Sequence, residues 1–475
     1  MKRLKDLIPC DYDVLISSVE DNSKVKNENY LFCCIKGLTF DGHDFVNEVI
    51  ENGAVAILSE KDLKVSVPVV KVPDTNKAMI EVLSSFYDHV DQKMKIIGAT
   101  GTDGKTTVIS IVNQLLNKFS KAGYIGTNGI YCDGYKKDAY LTTPIPTELF
   151  YSLNKFYENK CKYVTMEVSS ERLLTKRIDD LKFDAAIFTN LTKDHINNHK
   201  SYDDYRDCKL KLFSMVKPDG FCIINIDDDN SKLFINKSTG KVITYGIDKE
   251  ADYTAKDIVV GKYELKFTLL YNNKEYLVKS PLSGKYNVYN LLAAIATLHA
   301  YNYKIEDIVS NIIDLKPILG RANIINYNDK FKVLIDYAHT ANALKNILEY
   351  ANILSDNKVI TVTGSAGGRD TLKRPDMGLA VTKYSDYVIF TTDDPRKEDP
   401  NDIIDQMLEK VTTKNYRRIT DRKKAIRKAI TMAKPGDVVV IAGRGNDTFM
   451  PVNDNLVRCN DYEQVYLNLN EGVNV

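Results

Sequence analysis

The sequence predicts an α/β protein of three domains built on largely parallel sheets. Three features lead there. The chain has 475 residues, too many for one ordinary core. Short apolar runs alternate with amphipathic stretches through most of it, the pattern of strands and covering helices. Between Lys95 and Val108 an apolar run enters a glycine-rich turn that opens directly into a helix.

Residues 1–90 read as a small α/β domain, with a buried strand at 30–35, a helix at 44–52 and a second strand at 54–58. The charged stretch Tyr87 to Lys93 reads as the joint to a central domain, residues 91–318. Its strands are expected near 94–99, 163–169, 185–190, 221–226 and 241–245. Alternating runs around Asn272-Asn273 predict an antiparallel hairpin added at a sheet edge, and Asn287 to Tyr301 a long helix with an apolar face. In the last domain, 319–475, strands at 332–337, 358–363, 387–392 and 437–442 alternate with helices at 341–354, 376–384, 400–411 and 421–433. That is a doubly wound, Rossmann-like pattern. Its strand ends carry polar sequences starting at Asp336, Gly364, Thr392 and Gly443, where open α/β sheets bind ligands.

Composition narrows the function. Lys and Arg total 65 against 64 Asp and Glu, a balance that argues against a dedicated nucleic-acid or anionic-membrane binder. The eight cysteines (10, 33, 34, 132, 161, 208, 222 and 459) show no metal-site spacing and read as thiols in a reducing compartment. No export signal and no apolar run of membrane-spanning length is found, so a soluble, cytoplasmic protein is expected.

The turn after Ile97 has the makings of a phosphate-binding loop. Gly101 and Gly104 let backbone N–H groups converge on phosphate oxygens, with Thr102 and Asp103 between them and Thr107 following. Lys105 is suited to the β- and γ-phosphates and the Thr106 hydroxyl to Mg²⁺. The strict pattern wants glycine at position 99, where this chain has Ala99. A nucleoside triphosphate is the expected ligand.

The string Gly101 to Thr107 resembles the Gly-Thr-Asn-Gly-Lys-Thr-Thr loop of the Mur ligases, ATP-dependent enzymes that extend the peptidoglycan stem peptide. The resemblance runs in order along nearly the whole chain. It takes in Leu31-Phe32 with Asp41-Gly-His43, Leu141-Thr-Thr-Pro144, Met166-Glu-Val-Ser-Ser170 and Thr189-Asn-Leu-Thr-Lys-Asp-His195. It continues through Gly284 to Asn290, Asp336 to Thr340, Lys373-Arg-Pro375 and Asp393-Asp-Pro-Arg396. Within the family it resembles the type that adds the third amino acid to UDP-N-acetylmuramoyl-L-alanyl-D-glutamate.

The resemblance implies that a carboxylate attacks the γ-phosphate of ATP, and that an amine then displaces phosphate from the acyl phosphate. Metals and cations should dominate such a site. It implies Lys105, Glu167, His195 and Lys209 as catalytic residues, with two Mg²⁺ ions held by Thr106, Glu167, His195 and a carbamate formed from CO₂ on Lys209. Tyr205, Lys209 and Phe213 keep the spacing of the family's carbamylated-lysine pattern. By residue type alone Lys209 is a solvated helix-face lysine, Glu167 half of a structural ion pair and His195 a packing residue. Asn287, Asn290, Arg321 and Asp336 are implied at the base and ribose; Asn290 could equally cap a helix. The UDP-sugar dipeptide is implied against Thr142, Thr143, Ser169, Thr175 and Arg177, with the uridine in the first domain near Asn22 and Ser23. There the chain departs from the family, reading Asp21-Asn-Ser-Lys-Val25 for Asp-Ser-Arg-Val, and Glu171 stands where a His is usual.

The last domain should select the amine. Asp393, Asp394, Pro395 and Arg396 stand for the family's Asp-Asn-Pro-Arg, whose Arg grips the distal carboxylate of meso-diaminopimelate. Arg369 precedes Lys373-Arg374, and two arginines suit a dicarboxylic amino acid better than lysine. Gly443-Arg-Gly-Asn-Asp447 replaces Gly-Lys-Gly-His-Glu, and Asp447 keeps a carboxylate for the distal ammonium. The extra anion at Asp394 could instead favour lysine or ornithine, and Arg396 could sit in an ordinary surface ion pair. Folylpolyglutamate synthetase, a cyanophycin-type ligase, a non-catalytic paralogue and a metal-free P-loop regulator are the other readings. The segment before the loop and the retention of Lys105, Glu167, His195 and Lys209 weigh against them. A monomer without nucleic-acid or membrane partners is expected.

Overall fold

The structure, a computed structural model, describes residues 1–37, 40–192, 199–328 and 330–470. Among the described residues three larger sheets follow one another along the chain, accompanied by two short two-stranded sheets, Lys2–Arg3 with Leu15–Ile16 and Phe449–Val452 with Asn455–Arg458. The first larger sheet has four parallel strands, ordered Ser18–Glu20, Tyr30–Cys33, Ala54–Ser59 and Val69–Lys71. Its expected helix is entered through a 3-10 turn, Gly42–Phe45, because the Asp41 carboxylate accepts the His43 N–H and tightens the start; the α-helix proper is Val46–Glu51. A helix not anticipated from the sequence, Thr75–Phe86, covers this sheet.

The central sheet has eleven strands. Seven run parallel from Ala122–Gly126 through Tyr163–Glu167, Lys95–Thr100, Phe183–Phe188, Val216–Asn225 and Lys241–Gly246 to Tyr253–Val260. Lys95–Thr100 lies between strands that follow it in sequence, so the chain reverses direction across the sheet at its tip. That is the topological switch point at which such sheets bind ligands. The expected hairpin forms the antiparallel edge, Leu265–Tyr271 with Lys274–Ser280. At the opposite edge Gly129–Cys132 and Tyr135–Lys137 form a hairpin that the sequence reading missed.

The last sheet has six strands, and the order is not sequential: Val438–Ala442 inserts between Phe331–Asp336 and Val359–Thr363. The four expected strands and four expected helices are all present, the helices as Ala341–Leu354, Arg374–Tyr384, Pro400–Leu408 and Arg422–Met432. Asn323–Tyr327 and Tyr416–Arg418, the two edge strands of this sheet, and the separate two-stranded hairpin Phe449–Val452/Asn455–Arg458 were not anticipated; each is only three to five residues long.

The charged segment at 87–93 is more than a linker. Val90 and Met94 are buried in an apolar cluster that runs from Leu4 and Leu83 of the first block to Phe150, Phe156 and Ile96 of the second. Charge patterning hid this because Val90 stands singly among polar neighbours and Met94 stands at the start of the expected strand. All eight cysteines are free thiols. Among the described residues no helix is long and apolar enough to cross a membrane.

One buried ion pair fixes two strand tips of the last sheet. Arg422 and Asp461 are both fully buried and paired in bidentate fashion, at 2.8 and 2.7 Å. The same guanidinium donates to the carbonyls of Ala442 and Thr392, at 3.0 and 3.3 Å. Removing the anion would strand a buried cation, which typically costs about 3–5 kcal/mol. Asp461→Asn should therefore lower the urea midpoint of this domain by that equivalent; an unchanged midpoint would show that the pair contributes no stability.

Candidate active site

The tips of the central and last sheets face a cleft of about 1120 Å³. Gly101 (φ +153°) and Gly104 (φ +86°) shape the loop after Lys95–Thr100, and the helix Lys105–Phe119 begins at once. A Cβ on Gly101 would lie 1.9 Å from Thr189 Oγ1, so only glycine fits there. Thr102, Asp103, Gly104, Lys105, Thr106 and Thr107 all line the cleft. Lys105 Nζ donates to the Gly101 and Thr102 carbonyls, both at 2.9 Å.

Glu167 ends its strand against this loop and is 1 % exposed. Its carboxylate accepts from Thr106 Oγ1 at 2.8 Å, Tyr124 Oη at 3.0 Å and the Thr127 N–H at 2.9 Å. The partners are neutral hydroxyls and an amide, so Glu167 is not half of a structural ion pair. A hydroxyl and a carboxylate at 2.8 Å form an oxygen donor set of the kind a hard divalent cation takes, and the residues present fit Mg²⁺. Lys209 is buried (2 % exposed), donates to the Gly101 carbonyl at 2.7 Å and lies over the Tyr205 ring. It is therefore not a solvated helix-face lysine: the helix Tyr202–Ser214 turns it inward beneath the phosphate loop. His195 lies outside the described residues.

Asn287 lies in the first turn of the helix Tyr286–Ala300 and Asn290 in the second, so Asn290 does not cap the helix. Asn287 Nδ2 donates to the Ser283 carbonyl and Asn290 Nδ2 to Asn287 Oδ1, at 2.7 and 2.9 Å. Both line the cleft, with Asn290 Oδ1 beside Gly104. From the last block Arg321 Nη2 donates to Thr106 Oγ1 at 2.8 Å, and Thr340 Oγ1 to Asp103 at 3.2 Å. Asp336 accepts the Ala322 and Ala338 N–H groups; burial raises its pKa against the opposing pull of Arg321.

Thr142, Thr143 and Ser169 line the same cleft, joined by Thr143 Oγ1 donating to the Glu167 carbonyl and receiving the Ser169 N–H. Glu171 lines it as well. Four residues expected with them are not brought into the cleft wall. Asn22 accepts the Lys24 N–H in a local turn, Ser23 accepts through its carbonyl from Asn52, and Thr175 Oγ1 donates to the Glu171 carbonyl. Arg177 pairs with Asp21 at 2.6 Å and ties the first block to the second.

At the far end of the cleft stand Arg369, Asp393, Asp394, Arg396, Gly443 and Asp447, with Pro395 in the loop between them. Arg396 holds a left-handed backbone (φ +54°), its N–H donating to the Pro451 carbonyl. Burial and then Arg369 lower the pKa of its guanidinium. Among the described residues neither Arg369 nor Arg396 is paired with a carboxylate, so Arg396 is not in a surface ion pair. Asp447 accepts from Tyr337 Oη at 2.9 Å, yet burial pushes its carboxyl up to about 6. Gly443 (φ +115°) admits Asp393, whose Oδ2 would lie 2.5 Å from a Cβ there. Arg444, Tyr337, Tyr124 and Thr127 were missed as site residues. Arg444 and Tyr337 carried a signal, since each lies within a motif already singled out.

A phosphate loop at a switch point, a carboxylate beside it and a doubly wound domain closing over both define a nucleotide-dependent group-transfer enzyme. The chain matches the Mur ligase middle domain over residues 99–298, the Mur ligase glutamate ligase domain over 320–445 and the Mur ligase family catalytic domain over 18–91. It belongs to the Mur ligase family of ATP-dependent ligases. It is 38% identical over 469 residues (97% of this chain, 96% of the relative) to UDP-N-acetylmuramoyl-L-alanyl-D-glutamate–2,6-diaminopimelate ligase 2 of Clostridium acetobutylicum. It is 39% identical to the ligase of the same name from Clostridioides difficile, over 92% of each chain. A solved structure of a UDP-N-acetylmuramoyl-L-alanyl-D-glutamate–2,6-diaminopimelate ligase matches with a TM-score of 0.70 at 26% identity, covering 100% of both chains. Folylpolyglutamate synthase of Mycobacterium tuberculosis, complexed with ADP and AMPPCP, shares the fold at a TM-score of 0.64 and 15% identity, over 77% of this chain and 91% of that one.

The Asp447 carboxyl should titrate near pH 6 in carboxyl ¹³C NMR, identified by its loss in Asp447→Asn. Tyr337→Phe removes a donor to the ionised form and should raise that value. A pKa near the ordinary aspartate value of about 3.9 would show that the pocket is wet.

Proposed function

We propose that this chain ligates meso-diaminopimelate to UDP-N-acetylmuramoyl-L-alanyl-D-glutamate through an acyl phosphate, in peptidoglycan synthesis. The observation that carries the reading is the cleft itself. It is lined at one end by the phosphate loop, at its centre by Thr142, Thr143 and Ser169, and at the other end by Arg369, Arg396 and Asp447. Three chemically distinct surfaces suit three substrates.

In this reading the loop amides, Lys105 and Arg321 hold the phosphates of ATP, while Asn287, Asn290 and Asp336 meet its base and ribose. Mg²⁺ held by Thr106 and Glu167 would supply charge neutralisation at the transferring phosphoryl group. Lys209, carbamylated at Nζ by CO₂ with loss of a proton, would offer anionic oxygens for a second Mg²⁺ together with His195. Burial beneath the phosphate loop supports this, since a carbamate there would be shielded from water. The acceptor carboxylate attacks the γ-phosphorus, ADP leaves, and the amine then displaces phosphate from the acyl carbon. Thr175, Arg177, Asn22 and Ser23 are assigned to the UDP-sugar dipeptide on the family pattern alone. All three surfaces come from one chain, and the enzyme is proposed to act as a cytoplasmic monomer.

The amine follows from charge. Two guanidiniums at the cleft end that pair with no carboxylate among the described residues favour a distal carboxylate, and Asp447 offers the counter-charge for the distal ammonium. Release of ADP and phosphate by the purified protein, given UDP-N-acetylmuramoyl dipeptide and a panel of amino acids, tests the reading. No turnover with any amine would refute it.

Lys209→Ala should abolish ligation, with partial rescue by added short carboxylates that stand in for the carbamate. Full activity of the folded variant would remove Lys209 from the chemistry. Because lysine would leave the half-buried Arg396 guanidinium without a carboxylate partner, the wild type should prefer diaminopimelate by roughly 100-fold in kcat/KM. Arg396→Ala should erase most of that preference; a wild-type preference for lysine would overturn the assignment of the amine.

A further inference from the structure

Two of the motif departures in the last block meet beside the cleft end. Position 394 is Asp where the family pattern has Asn, and position 444 is Arg where it has Lys. Arg444 is 1 % exposed. Its Nη1 donates to Asp394 Oδ1 and lies 3.5 Å from Asp393 Oδ1. Its Nη2 donates to the Phe449 carbonyl at 2.9 Å. Phe449 opens the hairpin that also holds the Arg396 backbone, through the Pro451 carbonyl and the Asn453 N–H. One guanidinium therefore ties the anion at 394 to the hairpin that sets the position of Arg396.

Asp394 stands two residues before Arg396, and its charge is felt at that guanidinium. Apart from Arg444, the cation whose charge Asp394 feels is Arg396 itself. A carboxylate paired with Arg396 occupies the fork that a substrate carboxylate needs, and leaves the cleft end net anionic, a setting for a plain diamine. Lysine at 444 would offer one point charge on a flexible stem. Arginine's planar fork reaches Asp394 and the Phe449 carbonyl together.

We propose that Arg444 is a specificity-determining positioning residue: by binding Asp394 it keeps Arg396 open to the distal carboxylate of the incoming amino acid. The inference rests on the reading of a dicarboxylic amine given above. It assigns to Asp394 and Arg444 a reciprocal role, in which the acid is tolerated only because the arginine masks it.

The test is a double-mutant cycle, with kcat and KM for meso-diaminopimelate, lysine and ornithine measured separately. Arg444→Met should raise KM for diaminopimelate at least about 30-fold while KM for ATP is unchanged, and lysine use should hold or rise. Asp394→Asn alone should keep the diaminopimelate preference. Adding Asp394→Asn to Arg444→Met should recover at least about tenfold of the lost kcat/KM, because the anion needing a mask is gone. Should Arg444→Met fail to fold, Arg444→Lys takes its place, with a smaller loss in the same direction and the same recovery by Asp394→Asn. Equal losses for all three amines with no recovery in the double variant would reduce Arg444 to a structural role and overturn the proposal. A wild type that prefers lysine would instead refute the dicarboxylic reading. A diaminopimelate-preferring wild type whose selectivity ignores position 444 refutes only this inference.

Discussion

The hydrogen bond between Thr106 and Glu167 is the contact on which the site depends. It joins the first turn of the helix after the phosphate loop to the tip of the neighbouring strand, inside a sheet that excludes water. A carboxylate buried there is tolerable because Tyr124, Thr127 and Thr106 all donate to it. Arg321 then reaches the same Thr106 hydroxyl from the last block. Two domains thus meet on one oxygen.

Charge balance governs the other end. Asp393, Asp394 and Asp447 crowd beneath Arg369, Arg396 and Arg444, and burial opposes ionisation of the two acids whose carboxyls are raised, Asp394 and Asp447. Equal numbers do not mean equal roles. Arg444 takes its acids inside the protein, whereas Arg369 and Arg396 face the cleft. The difference comes from backbone placement: Arg444 follows a central strand, while Arg396 is held on a left-handed turn by a hairpin. The last block therefore presents cations to the cleft from a region whose residue count alone is neutral.

Much of this was legible from residue order. The loop from Gly101 to Thr107, the strand ending at Glu167 and the four alternating units of the last block needed only periodicity and glycine chemistry. Short edge strands such as Tyr135–Lys137 and Tyr416–Arg418 were not, since they carry few apolar residues and owe their form to a neighbour's unpaired backbone. The continuity of the core across residues 87–93 also escaped, because single buried side chains leave no periodic trace.

The sequence by itself determined the fold class, the phosphate loop and the strand tips that carry polar residues, for these rest on local pattern. Tertiary structure decided which polar residues face one another. Strand Val438–Ala442 inserts between Phe331–Asp336 and Val359–Thr363, which brings Arg444 to Asp394 across fifty positions of chain. Tertiary packing of the other blocks likewise drew Arg177 to Asp21 and buried Lys209 under Gly101. Whether a charge is spent inside the protein or offered to a substrate depends on strand order and burial, and neither is a property of any local stretch of sequence.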